Sequence, residues 1–197
     1  MNVLVVGKMP SPVKPIIRDS GCRVSECDVP IDVDYLKINA IEFIVSYGYR
    51  HIIQKPVIEH LRGRIVNLHV SLLPWNRGAD PNLWSFLEDT PKGVTIHYLD
   101  EGLDTGDIIA QKELFFDEEY ETLATTYEKL SGAIVELFRQ YWPKIMDGQV
   151  QRLKQPVSGS SHRLEDKRRF EHLLAERGWN TPVKELVAKA LSPDLKL

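Results

Sequence analysis

The chain has 197 residues, 43% hydrophobic and 27% charged, the make-up of an ordinary folded domain rather than a disordered chain. Its 25 basic and 28 acidic side chains leave a net charge of -3, which argues against bulk nucleic-acid binding. No apolar run spans a bilayer, the start MNVLVVGKMP is not a secretory signal, and two cysteines, Cys22 and Cys27, suit a reducing cytosol; the expectation is a cytoplasmic protein. The charge is unevenly placed. Residues 1–146 carry 15 basic and 21 acidic groups, whereas 147–197 carry 10 and 7. A seam near Asp147-Gly148 is read as dividing a catalytic domain, 1–146, from a C-terminal helical extension, 147–197, packed on or near it.

Residues 2–7 (Asn-Val-Leu-Val-Val-Gly) read as a buried parallel strand ending in a turn. A short helix follows over 11–20, entered through Ser-Pro and stopped at Gly21. Strands are expected at 22–27 and 42–46, a helix at 56–62, a strand at 64–70 and a helix at 81–88. In the strand 93–99, Val94, Ile96 and Tyr98 share one face. A strand over 107–115 precedes the longest helical pattern, Glu121 to Met146, with Leu123, Tyr127, Leu130, Ile134, Leu137, Phe138, Tyr141 and Ile145 at three- and four-residue spacing. The tail reads as helices over 165–174 and 182–191. Strands alternating with helices imply an α/β fold with a mainly parallel sheet. After the first strand, Gly7-Lys8-Met9-Pro10 is neither a dinucleotide fingerprint nor a phosphate loop.

The chemistry points to Asn67-Leu-His-Val-Ser-Leu-Leu-Pro74. Asn67 and His69, two apart on a strand, project from one face. They lie at the strand's C-terminal end, where open α/β sheets bind ligands. An amide donates to a developing oxyanion, and an imidazole accepts or relays a proton near neutral pH. The loop Asp100-Glu-Gly-Leu-Asp-Thr-Gly106 offers a carboxylate to complete the set. Taken singly, each motif has a plainer reading: Asn-x-His as a structural pair, Asp-Thr-Gly as a turn. No cluster has metal-ligand spacing, so no metal is expected.

In combination and order, Asn67–Pro74, Arg77-Gly78, Gly93-Val-Thr-Ile-His97 and Leu103-Asp-Thr-Gly-Asp-Ile-Ile109 resemble the formyltransferase catalytic domain. That domain is shared by glycinamide ribonucleotide transformylase, methionyl-tRNA formyltransferase and the sugar N-formyltransferases. The resemblance runs from about Ser46 to Gln111. It implies a Rossmann-like fold with a short helical tail, N10-formyltetrahydrofolate as formyl donor and an amine acceptor. It also implies a catalytic set of Asn67, His69 and Asp104. Val70 stands where the family more often has proline. By the same resemblance, Tyr47, Tyr49, Ile52, Leu72, Asp100, Gly102 and Leu103 line the donor pocket. Tyr47 and Tyr49 have the alternative reading of packing aromatics.

The acceptor is read from departures within the family. The loop Gly7–Pro10 lacks the Gly-Ser-Asn type sequence that holds a glycinamide ribonucleotide phosphate. The residues after Asp147 are too few for the β-barrel of methionyl-tRNA formyltransferases. The remaining resemblance is to small bacterial enzymes acting on nucleotide-linked amino sugars, with no nucleic-acid or membrane partner; a homodimer is compatible with it. For such an acceptor, Lys8, Arg50 and Arg77 are expected to meet phosphate and Trp75 or Trp84 to stack on a ring. For each cation the competing reading is a solvated surface charge. A free amino acid or other small amine, hydrolysis of the donor, and a silent folate- or nucleotide-binding module are the alternatives.

Overall fold

In the computed structural model, which describes residues 1–191, six strands form one sheet. They are β1 (Asn2–Gly7), β2 (Arg23–Cys27), β3 (Phe43–Tyr47), β4 (Ile65–His69), β6 (Gly93–Tyr98) and β7 (Ile108–Glu113), in the order β2-β1-β3-β4-β6-β7. Pairings β1–β2, β1–β3 and β3–β4 are parallel, and β4–β6 is antiparallel. The remaining two strands, β5 (Arg77–Gly78) and β8 (Ser161–His162), make a separate two-residue parallel ladder. The expected α/β architecture with a mainly parallel sheet is what the chain forms.

The helices are α1 (Lys14–Asp19), α2 (Val33–Ile38), α3 (Lys55–His60), α4 (Pro81–Leu87), α5 (Leu123–Met146) and α6 (Glu171–Leu174). Proline lies in the first turn of α1, α3 and α4, where its missing N–H costs nothing. The sequence reading missed α2. Its start is set by the Asp32 side chain, which accepts a hydrogen bond from the Tyr35 amide at 2.7 Å. The tail is tighter than expected. The segment 165–174 is a 3₁₀ turn, Asp166–Phe170, continued by α6, and 182–191 holds 3₁₀ turns at Val183–Glu185 and Lys189–Leu191.

The chain separates into two compact units. The first comprises Met1–His69, Thr95–Ala110 and Ile134–Gln155. The second comprises Val70–Val94, Gln111–Ala133 and the described residues from Pro156 onward. These units do not follow the boundary read at residue 146: α5 contributes to both, and the segment after it stays with the first unit as far as Gln155.

In the first unit, β1 and β3 are buried on both faces, as parallel strands under helices must be. Leu4, Val6 and Ile44 pack with Leu36, Val57, Leu61 and Ile65. On the other parity, Phe43 meets Trp142 of α5 edge-on at 5.5 Å, and Trp142 lies 5.2 Å from Phe138. Each such large side chain contributes about 1.5–3 kcal/mol by leaving water. Gly7 (φ +113°) lies so close to β3 that a Cβ there would sit 2.2 Å from the Tyr47 carbonyl oxygen. In the second unit the tail packs through Phe170, Val183 and Leu186 on Leu83, Trp84, Phe86 and Leu87 of α4. Cys22 and Cys27 are buried free thiols.

Candidate active site

The antiparallel register sets Asn67 of β4 directly opposite His97 of β6, and His69 opposite Thr95. Directly opposed residues face the same side of a sheet, so these groups share one face at the end of β4. The third participant comes from the loop between β6 and β7. Asp104 holds a left-handed backbone conformation (φ +51°), which aspartate tolerates better than most side chains.

These side chains converge. The Asn67 amide donates from Nδ2 to Asp104 Oδ1 at 3.2 Å and meets His97 Nε2 at 3.2 Å. Asp104 Oδ2 lies 3.6 Å from His69 Nδ1, an electrostatic contact just beyond hydrogen-bond length. His97 Nδ1 is 2.9 Å from the Tyr98 carbonyl oxygen. A carbonyl only accepts, so Nδ1 carries the hydrogen and Nε2 presents a lone pair to Asn67. In that tautomer the 3.4 Å approach of His97 Nε2 to Asp104 Oδ1 is no hydrogen bond, because neither atom donates. The rings of His69 and His97 stand edge to face, 6.1 Å apart. The His69 side chain is 7% exposed and that of Asp104 12%, so both retain a narrow opening to solvent while His97 has none.

The loop is built to hold this aim. Asp100 Oδ1 accepts from the Gly102 amide (3.0 Å) and the Thr105 hydroxyl (2.7 Å). A Cβ at Gly106 would lie 1.8 Å from the Tyr98 carbonyl oxygen, so only glycine allows that approach. The Gln155 side-chain amide donates to the main-chain oxygens of Asp104 and Gly106, each at 2.8 Å. Lys55, at the start of α3, pairs with Glu101 at 2.9 Å. His97 and Gln155 are participants that the sequence reading did not single out.

The other expected residues are placed as follows. In the first unit, Ile52 and Leu103 expose apolar side chains, at 83% and 53%. Asp100 and Gly102 belong to the loop just described. Tyr49 donates its hydroxyl to the Val29 carbonyl at 2.7 Å. Burial first, then the nearby Cys27 and Asp28, push its phenol up to about 12, with the Ile31 backbone acting the other way. Tyr47 is buried within β3, in keeping with its alternative reading as a packing aromatic; its carbonyl accepts from the Lys8 amide at 2.9 Å. Lys8 and Arg50 are exposed. In the second unit, Leu72, Trp75 and Arg77 are half-buried, and Arg77 reaches the Pro156 carbonyl at 3.3 Å. Trp84 is 1% exposed, with its indole stacked on His162 at 3.7 Å and met edge-on by Phe170. The expectation that Trp84 offers a face to a ligand is corrected on that ground: one face and an edge are already spent on the core.

No group of three or more His, Cys, Asp or Glu among the described residues could hold a metal. No helix among them is long and apolar enough to cross a membrane.

The amide and imidazole at the end of β4, met by the carboxylate of the β6–β7 loop, bring a hydrogen-bond donor and groups able to move a proton to one place on the sheet. Residues 5–140 match the family model described as formyl transferase, and the chain belongs to that family. Among solved structures, it is similar to the formyltransferase PseJ from Anoxybacillus kamchatkensis in complex with UDP-4,6-dideoxy-4-formamido-L-AltNAc and tetrahydrofolate. The two share 46% identity with a TM-score of 0.92, over 96% of this chain and 100% of that one. Among curated proteins, the methionyl-tRNA formyltransferase of Myxococcus xanthus is 34% identical over 152 residues, which is 75% of this chain and 48% of that protein. The phosphoribosylglycinamide formyltransferase of Bacillus subtilis is 34% identical over 115 residues, 58% of this chain and 56% of that protein. The chain thus spans about half the length of these curated relatives.

Proposed function

We propose that the protein transfers the formyl group of N10-formyltetrahydrofolate to the amine of a nucleotide-linked amino sugar, in particular a 4-amino-4,6-dideoxy sugar carried on UDP. The observation that carries this reading is the 46% identity to PseJ over nearly the whole of both chains, with that protein's complex holding a 4-formamido UDP-sugar and tetrahydrofolate. Support for the folate comes from the first unit. Ile52 and Leu103 present exposed apolar surface to a pterin.

In this reading the neutral amine attacks the formyl carbon, the carbon–N10 bond breaks, and the products are the formamide and tetrahydrofolate. Asn67 and His69 donate to the formyl oxygen as it gains charge. The Asn67 Nδ2 group is directed at His97 and Asp104, so one of its hydrogens turns from that partner to do so. Asp104, across 3.6 Å from His69, orients the imidazole and assists transfer of the proton that the amine gives up and the departing N10 takes up. Lys8, Arg50 and Arg77 are proposed to meet the acceptor's phosphates, and Trp75 its ring.

The test is a paired assay. The UDP-linked 4-amino-4,6-dideoxy sugar is supplied with N10-formyltetrahydrofolate, and release of tetrahydrofolate is followed with the mass of the sugar. The expected result is release that depends on the amine, with the sugar heavier by one carbonyl group. Release without an amine would identify a hydrolase. Release with initiator methionyl-tRNA or a free amino acid, but not with the sugar, would replace the acceptor. No release under any condition would leave a binding module.

A further inference from the structure

Residues Arg152–Gln155, beyond the turn that follows α5, run along the loop carrying Asp104, and each engages it or its flanks. The Arg152 guanidinium lies over the Tyr98 ring at 3.8 Å. Leu153 pairs antiparallel with Ile108 through two main-chain hydrogen bonds, 2.8 and 3.0 Å. Lys154 meets Asp107 at 2.9 Å. Gln155 spans the loop itself, holding the carbonyls of Asp104 and Gly106. The contacts therefore fall at both feet of the loop, residues 98 and 107–108, and at its centre.

The central contact matters most because of what Asp104 is doing. Its left-handed backbone carries an energetic cost for a residue with a Cβ. That conformation aims the carboxylate at Asn67 and His69. A loop free to relax would rotate the carboxylate away. The two Gln155 hydrogen bonds fix the Asp104–Thr105 and Gly106–Asp107 peptide units and thus hold the aim.

We propose that the strap Arg152–Gln155 is a positioning element of the active site, with the Gln155 amide as the positioning group for the Asp104 carboxylate. The proposal rests on the formyl-transfer reading of Asn67, His69 and Asp104. It gives the start of the C-terminal segment a role in catalysis: an amide that touches no reacting atom orients one that does. Displacements of an ångström or less in such a group lower rates by about tenfold to a hundredfold.

The experiment measures amine-dependent tetrahydrofolate release by the full chain in two variants. Gln155→Met keeps length and volume but removes the donor. It is expected to lower kcat by about tenfold to a hundredfold, with the acceptor KM within about twofold of wild type. Gln155→Glu sets a carboxylate against two carbonyl oxygens. Protonated at low pH, it donates one hydrogen bond again, so its rate relative to wild type is expected to rise as pH falls. A merely structural role would lower the melting temperature of both variants without moving that pH profile. Wild-type kcat in Gln155→Met, or a flat ratio in Gln155→Glu, overturns the proposal. Asp104→Asn is run beside them. If it is fully active, the reading of the site itself fails. If it is inactive while Gln155→Met turns over normally, only the strap fails.

Discussion

Each of the two units contains a buried histidine beside a carboxylate, and the pair of pairs is instructive. In the second unit, His162 Nε2 lies 3.2 Å from Glu88 Oε2, closer than His69 is to Asp104. Its burial is also much the same. Yet His162 is stacked on Trp84, its strand β8 pairs with β5, and nearby Lys167 ties the tail to Asp80 at 2.8 Å. Those contacts join the tail to α4, so this histidine and carboxylate are structural. His69 and Asp104 differ in three respects. The carboxylate sits on a left-handed loop, an amide shares it, and a second imidazole stands behind that amide with its tautomer fixed. Proximity of a histidine and an acid therefore does not mark a site; the convergence of several unlike polar groups at a strand end does.

The sharpest way to break this contrast is to substitute both pairs. Asp104→Asn and His69→Asn are expected to lower amine-dependent turnover by about 10²–10⁴-fold, with circular dichroism and melting temperature close to wild type. Glu88→Gln, measured the same way well below its melting temperature, is expected to turn over at nearly the wild-type rate while melting earlier. Retained turnover in both active-site variants, or a Glu88→Gln loss as large as theirs, would erase the distinction.

A second contrast separates stability from function at an aromatic residue. Trp84 fills the core of the second unit between His162 and Phe170. Trp84→Ala leaves a cavity there and is expected to cost about 3–5 kcal/mol in denaturant unfolding. Its acceptor KM, measured where the variant is folded, is expected to stay within about twofold of wild type. A KM rise without loss of stability would return Trp84 to the acceptor site.

How much of this was legible in the sequence follows from where the information lies. The strand cores at 3–6 and 43–45 are continuous apolar runs, and in 64–70 Ile65, Val66, Leu68 and Val70 supply the apolar signal around Asn67 and His69. Asn67 and His69 were visible because a two-residue spacing fixes a shared face. His97 was half visible. Placing Val94, Ile96 and Tyr98 on one face puts His97 on the other, but only the β4–β6 register sets it opposite Asn67. The helix α2 has one buried residue, Leu36, so it shows no apolar stripe, and its signal is the Asp32 cap. Strands β5 and β8 are two residues each and exist only through tertiary pairing. Trp84 misled because α4 is buried on nearly every side, residues 82–87, where an amphipathic pattern would have revealed its face. Gln155 gave no local signal, since a lone glutamine acts here only through the loop it happens to meet.

The smallest effect sharpens the same comparison through pH. Burial alone would raise the Glu88 carboxyl, but the hydrogen bond and charge of His162, with a further bond from Ser160, outweigh it and leave the group below its ordinary value. A carboxylate whose folded pKa is depressed binds its proton more readily in the unfolded chain. Its contribution to stability is therefore complete above the ordinary carboxylate range and is lost as pH falls through the depressed value. The stability difference between wild type and Glu88→Gln, measured by urea unfolding, is expected to shrink progressively as pH falls below about 4.5. A difference that instead grew as the solution was acidified would mean that Glu88 is held in its protonated form. The contact of His162 with the Glu88 carboxylate would then not be what secures the tail.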